Sequence, residues 1–183
     1  MFTIGRRKFE IAHTEFCAHL SVGESGWSAS WTLEVFSGPL ELADMRREPV
    51  LRSHSSLSGL PHPLELSGKR VGPIANDERG EPAFLLSDFE HDPVSEPILR
   101  FKERKGAEFL LEFRGKAPNF TDENDDPIVF VSVDCWLPFN GVRVDELRLE
   151  KANQRLQQVF GLNGWTDPVR DGNLWLYKLR PDA

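Results

Sequence analysis

WSASWTLEV, residues 27–35, is the stretch that decides the fold. Trp27, Ala29, Trp31, Leu33 and Val35 hold the odd positions, and Ser28, Ser30, Thr32 and Glu34 the even ones. Side chains along a strand point alternately to its two faces, so a period of two describes a strand that is dry on one side and wet on the other. A dry face has to be laid against another layer, and short connections favour antiparallel neighbours.

Upstream, Gly23-Glu24-Ser25-Gly26 reads as a hairpin turn, and Phe9 to Val22 as the partner strand. Phe9, Ala12, Phe16 and Leu20 would also share one helical face, so this run carries both readings. Downstream, residues 98–114 form a second hairpin around Arg104-Lys105-Gly106, with Gly106 in the left-handed position of a three-residue loop. That loop sets Phe101 opposite Phe109, Leu99 opposite Leu111 and Lys102 opposite Glu108. Ile128 to Leu137 is a further strand, with Val129, Val131, Val133 and Cys135 on one face and Pro138 at its end. Asn140-Gly141 turns the chain into a short strand, Val142 to Val144. Asp145 is then placed to cap a helix whose apolar stripe is Leu149, Ala152, Leu156, Val159 and Phe160, and Gly161 to end it. Asn173 to Leu179 is the last strand. Residues 52–82, rich in Ser, Pro, Gly and His, read as loops and brief edge strands around Pro61 and Pro63. The expected architecture is α+β and mainly β: antiparallel sheets in a sandwich or roll, about nine strands, and one long helix near the C-terminus. Residues 1–183 are expected to form a single domain, and the alternating strand–helix units of dinucleotide-binding folds are missing.

A chain of 183 residues buries roughly 70% of its unfolded surface, enough for a core that needs no metal or disulfide. Its net charge of −7 repels nucleic acid and anionic membranes at long range. The basic stripe Arg100, Lys102 and Arg104 is expected to be neutralised by Glu108 and Glu112 on the neighbouring strand, so neither nucleic acid nor membrane is an expected partner. Cys17 and Cys135 lie far apart in apolar runs and read as free thiols of a reducing cytoplasm. The basic N-terminal cluster is followed by no signal-like apolar stretch, and no run has membrane-spanning length.

Three groups of residues could carry chemistry. On a strand, His13, Glu15, Cys17 and His19 project from one face at about 7 Å intervals, and all four residue types bind transition metals. His13, Glu15 and His19 are therefore candidate ligands for a divalent metal, with His54, His62 or His91 as a distant third histidine. In the acidic stretch 119–127, Asp122, Asn124 and Asp126 match the first ligand positions of a calcium loop, but Pro127 and Val133 stand where glycine and glutamate are needed. It therefore reads as a solvated loop, with an irregular calcium site as the alternative and Asp122, Asp125 and Asp126 as candidate binding residues. Trp27 and Trp31 belong to the dry face of their strand, leaving Trp136, Trp165 and Trp175 as candidate surface anchors. No nucleophile elbow or phosphate-cradling glycine loop occurs, and His91 between Glu90 and Asp92 is an acid–base candidate that Pro93 places in a loop. The expected function is that of a non-catalytic binding protein of a bacterial cytoplasm, recognising a protein partner through acidic loops and exposed aromatics, as inhibitors or immunity proteins do. A metal-dependent enzyme built on His13 and Glu15, and a carbohydrate-binding or structural assembly module, are the alternatives. No cofactor other than that metal is expected.

Overall fold

The computed structural model describes residues 1–23, 26–42, 45–53, 60–72, 74, 80–88, 90–120 and 126–182. Sixteen strands and one α-helix lie among them. In chain order the strands are β1 (Phe2–Ile4), β2 (Arg7–Phe9), β3 (Ile11–Gly23), β4 (Gly26–Ser37), β5 (Leu40–Leu42), β6 (Met45–Arg47), β7 (Val50–Ser53) and β8 (Arg70–Val71). They continue as β9 (Phe84–Ser87), β10 (His91–Pro93), β11 (Ser95–Lys105), β12 (Glu108–Pro118), β13 (Ile128–Pro138) and β14 (Gly141–Asp145). Helix α1 (Leu149–Val159) follows, then β15 (Val169–Asp171) and β16 (Leu174–Tyr177). The expectation of about nine strands is exceeded because most of the additional ones are only two to four residues long, too short to display a period.

Two sheets face each other, one of six strands in the order β2-β1-β13-β12-β11-β8 and one of eight in the order β10-β9-β7-β4-β3-β14-β16-β15. Neither closes into a barrel, and antiparallel pairing dominates, as the patterning implies. Of the run before β4, residues 11–23 are strand and not helix, paired with β4 from Ile11↔Ser37 to Gly23↔Gly26, while Phe9 ends β2 in the other sheet. Phe16, Ala18 and Leu20 enter the core beside Trp31, Leu33 and Val35. Phe16 stacks on Phe101 and meets Phe109 edge-on, at 5.5 and 5.9 Å between ring centroids, so it ties one sheet to the other.

One pair departs from the antiparallel rule. β14 runs parallel to β3, with Gly141↔Cys17 and Leu20↔Val144 in register. The two residues between β13 and β14 do not form a hairpin; they carry the chain from the six-stranded sheet to the eight-stranded one. Phe139 turns into the space between the sheets, 5.4 Å from Phe16, 5.8 Å from Trp31 and 6.3 Å from Phe109. Asn140 donates its amide to the Phe16 carbonyl and fixes the crossing. Gly141 sits at φ +117°, and a Cβ there would lie 2.4 Å from the Tyr177 carbonyl oxygen, so only glycine fits.

Two local expectations need correction. The β11–β12 turn spans Gly106-Ala107 and pairs Lys105 with Glu108, so Phe101 faces Leu111 and Leu99 faces Phe113, two places along from the expected register. A bulge between Phe101 and Glu103 absorbs the extra residue and keeps Phe101 buried. Gly106 does adopt a left-handed backbone, at φ +58°. The helix begins at Leu149 rather than after Asp145, which is the last residue of β14; no side chain caps its N-terminus. Gly161, at φ +74°, ends it as the sequence implies, its amide returning to Gln157 O at 3.1 Å. The helix lays Ala152 and Leu156 on the inner face of the eight-stranded sheet, and Tyr177 donates its hydroxyl to Asn153 Oδ1 at 2.7 Å.

Phe139→Ala is expected to cost about 3–5 kcal/mol, because the crossing cannot collapse into the space left by the ring. Gly141→Ala is expected to cost about 2–4 kcal/mol through backbone strain and the collision with Tyr177. Both are read from urea denaturation midpoints, with Ser28→Ala on the wet face of β4 as a neutral control.

Candidate functional site

The outer face of β3 brings Glu15, Cys17 and His19 together as the alternation requires, and β14 adds a residue that the sequence did not suggest. Arg143 pairs with His19 in register and reaches across, its Nη1 3.3 Å from Glu15 Oε1 and 3.8 Å from Cys17 Sγ. His19 Nε2 lies 3.4 Å from the same sulfur, and Glu15 Oε1 lies 3.8 Å from it. Burial pushes the Cys17 thiol up to about 11, with Arg143 opposing the rise and Glu15 adding to it. Burial also lowers His19 from its ordinary value, and the Arg143 guanidinium lowers it further. The pair is thus neutral thiol and neutral imidazole, the reverse of an activated cysteine. His13 stands apart, its ring against Phe36 at 5.6 Å. Among the described residues no three His, Cys, Asp or Glu side chains converge closely enough to hold a metal ion. Of the distant histidines, His54 lies outside the described residues, His62 packs against Phe160 and Trp165, and His91 contacts Ser87 Oγ through Nδ1 at 2.7 Å.

The three tryptophans have three different fates. Trp165 is 3% exposed, its ring among Phe139, Phe160 and His62, so it is a core residue and not a surface anchor. Trp175 is half-buried on the inner face of the eight-stranded sheet with Arg170 over its ring at 4.9 Å, and its indole N–H is buried without an acceptor among the described residues. Trp136 lies on the open outer face of the six-stranded sheet, half-buried, with the Lys105 ammonium 4.5 Å above it. The sequence could not separate them, because Trp165 and Trp175 fall where no long period fixes a face.

Aromatic exposure is concentrated instead where β12 gives way to β13. Phe130 is 71% exposed and Ile128 59%, both on the wet face of β13. Their signal was legible: they share that face with Ser132 and Asp134, so an aromatic and an isoleucine stand where the alternation asks for polar residues. Asn119 closes the intervening loop, its amide donating to the Pro127 carbonyl and its Nδ2 to the Asp126 carbonyl, each at 3.0 Å. Asp126, Ile128 and Phe130 then line a cleft of about 270 Å³ with Gly5 and Arg6. Asp122 and Asp125 lie outside the described residues.

Phe120, at the other foot of the same loop, lines a second cleft of about 220 Å³ with Arg47, Asp88, Glu90 and Asp92. Arg47 and Asp88 neutralise each other at 2.6 Å, leaving Glu90 and Asp92 as its excess charge. Burial raises the Asp92 carboxyl, and Glu90 raises it further. Beside Phe130, Glu96 takes φ +52°, a left-handed backbone that costs a glutamate roughly 1–2 kcal/mol. In that position it holds Lys116 at 2.9 Å, and the Lys116 ammonium lies 5.9 Å from the Phe130 ring.

Compared with protein-family models, with curated protein sequences and with solved structures, the chain has no match in any of the three. No helix among the described residues is long and apolar enough to cross a membrane.

With a thiol at about 11, roughly one Cys17 in a thousand is thiolate at pH 8, so iodoacetamide should modify it only at the rate of unfolding. Peptide mapping checks this; rapid labelling of folded protein would show a reactive nucleophile. His62 is lowered by burial, with Arg104 adding and Glu65 opposing, while its Nδ1 accepts the Leu64 amide at 3.0 Å. His19 and His62 therefore take up protons in the unfolded chain near pH 6.5 and in the folded chain only below that. Their contribution to stability is complete above pH about 6.5 and is lost as the pH falls from there through the folded values. The melting temperature should fall on acidification from pH 7.5, and His62→Asn, which keeps a capping acceptor, should flatten that fall.

Proposed function

We propose that this chain is a non-catalytic binding protein of the cytoplasm, recognising a protein partner through the loop between β12 and β13 and the clefts at its two feet. The observation that carries this reading is the company kept by Phe130 and Ile128: two exposed apolar side chains beside Asp126, with Glu90, Asp92 and Phe120 across the loop. An apolar anchor inside a polar rim is the anatomy of a protein–protein interface. The excess of carboxylates along the loop and the net charge of −7 favour a partner segment that offers lysine or arginine around an apolar side chain. The cytoplasmic assignment rests on Cys17 and Cys135, both free, with thiols pushed up to about 11 by burial.

A photoreactive phenylalanine analogue in place of Ile128, irradiated in a lysate of the source cells, tests this reading. One discrete adduct with a basic protein is expected, absent when the analogue replaces Ser30 on the opposite sheet. Phe130→Ser should weaken that adduct, corresponding to about 2 kcal/mol or more of binding, and added salt should weaken it further. Equal labelling from both positions, or an adduct indifferent to Phe130 and to salt, would refute the proposal.

A further inference from the structure

The outer face of the six-stranded sheet carries a second feature, independent of the loop site. Across β13, β12, β11 and β8, one transverse row reads Asp134, Glu112, Arg100, Arg70, each directly opposite the next. Lys102, displaced by the bulge, contacts Asp134 Oδ1 at 2.9 Å and Glu112 Oε2 at 3.3 Å. Arg114 contacts Glu112 Oε1 at 3.0 Å and Asp134 Oδ2 at 3.1 Å. Two cations and two carboxylates thereby form a closed quartet, and both oxygens of each carboxylate are taken. The Lys102 hydrogen bond to Asp134 leads in raising the ammonium. Burial alone would raise Asp134, but Lys102 and Arg114 together hold it below its ordinary value.

Arg100 and Arg70 are left over. The sequence suggested that Glu108 and Glu112 would neutralise the basic stripe; Glu112 does pair with Lys102, but it shares its other oxygen with Arg114 rather than Arg100, and Glu108 faces Lys105. Among the described residues neither Arg70 nor Arg100 has an ion-pair partner. Like charges directly opposite across a ladder destabilise it. The two guanidinium groups border a cleft of about 220 Å³ whose other walls are Ile98, Glu112 and Arg114.

We propose that this cleft binds the phosphate of a small phosphate monoester, with Arg70 and Arg100 as an anion clamp and Ile98 against the organic body. Planar guanidinium groups match phosphate oxygens two at a time, and a bound dianion converts the repulsion between the arginines into attraction to a shared partner. An extended nucleic acid fits less well. It would need a continuous basic track, and this one is interrupted after two residues by Glu112 and Asp134.

Phenyl phosphate, inorganic phosphate and a single-stranded oligonucleotide, titrated into the full chain at low salt by calorimetry and by melting temperature, make the test. Saturable binding of phenyl phosphate is expected, tighter than inorganic phosphate and weakened about tenfold or more by Arg100→Gln and by Arg70→Gln. Both variants should melt at or above the wild-type temperature when no phosphate is present, since each relieves repulsion. Absence of saturable binding, or binding unchanged in both variants, overturns the proposal. Tighter, Arg100-dependent binding of the oligonucleotide also overturns it, in favour of a nucleic-acid surface.

Discussion

Phe139 is the residue on which the two sheets depend. It sits where the chain leaves β13 for β14, and its ring fills the space bounded by Phe16, Trp31, Phe109 and Trp165. One side chain therefore serves as sheet-to-sheet packing and as the pivot of the crossing. Its amide donates to the Ala107 carbonyl at the β11–β12 turn, which pins the crossing to the end of that hairpin. Past the ring, β14 comes down beside β3 in the parallel sense, and the outer face of β3 acquires Arg143.

That arrival changes the chemistry of the most suggestive motif in the chain. Alternation alone puts His13, Glu15, Cys17 and His19 on one side of a strand, as a row of ligand-capable groups. The strand that settles next to them contributes a guanidinium, which satisfies Glu15 and lies against the thiol. A cation in that position raises the cost of placing another there and helps hold the imidazole neutral.

The long strands were legible because β3, β4, β12 and β13 each give their period of two room to repeat. The uncertainty between strand and helix before β4 was settled by pairing, which no local pattern encodes. The hairpin register differs from the patterned one because its turn is two residues long and a bulge lies at Lys102, and a bulge leaves no mark in composition. The parallel β3–β14 pair was invisible for a related reason: its partners are more than a hundred residues apart, joined by a crossing that looks like a turn. At the loop site, Asp126 is legible in the acidic run, and Phe130 and Ile128 as apolar residues on a face whose other members, Ser132 and Asp134, are polar. Trp165 is the opposite case, a tryptophan in a Gly- and Asn-rich segment that is nonetheless buried.

The order in which the chain is synthesised bears on the same crossing. β1 pairs with residues 131–133 of β13, and β3 with residues 141–144 of β14, so the early strands are completed only by late ones. At typical translation rates on the order of 10 seconds separates the emergence of Phe16 and Trp31 from that of Phe139. During that interval the β3–β4 hairpin presents an uncovered aromatic face and an unpaired strand edge. Non-local pairing of this kind makes folding slow, and exposed edges and apolar faces are where aggregation competes with it.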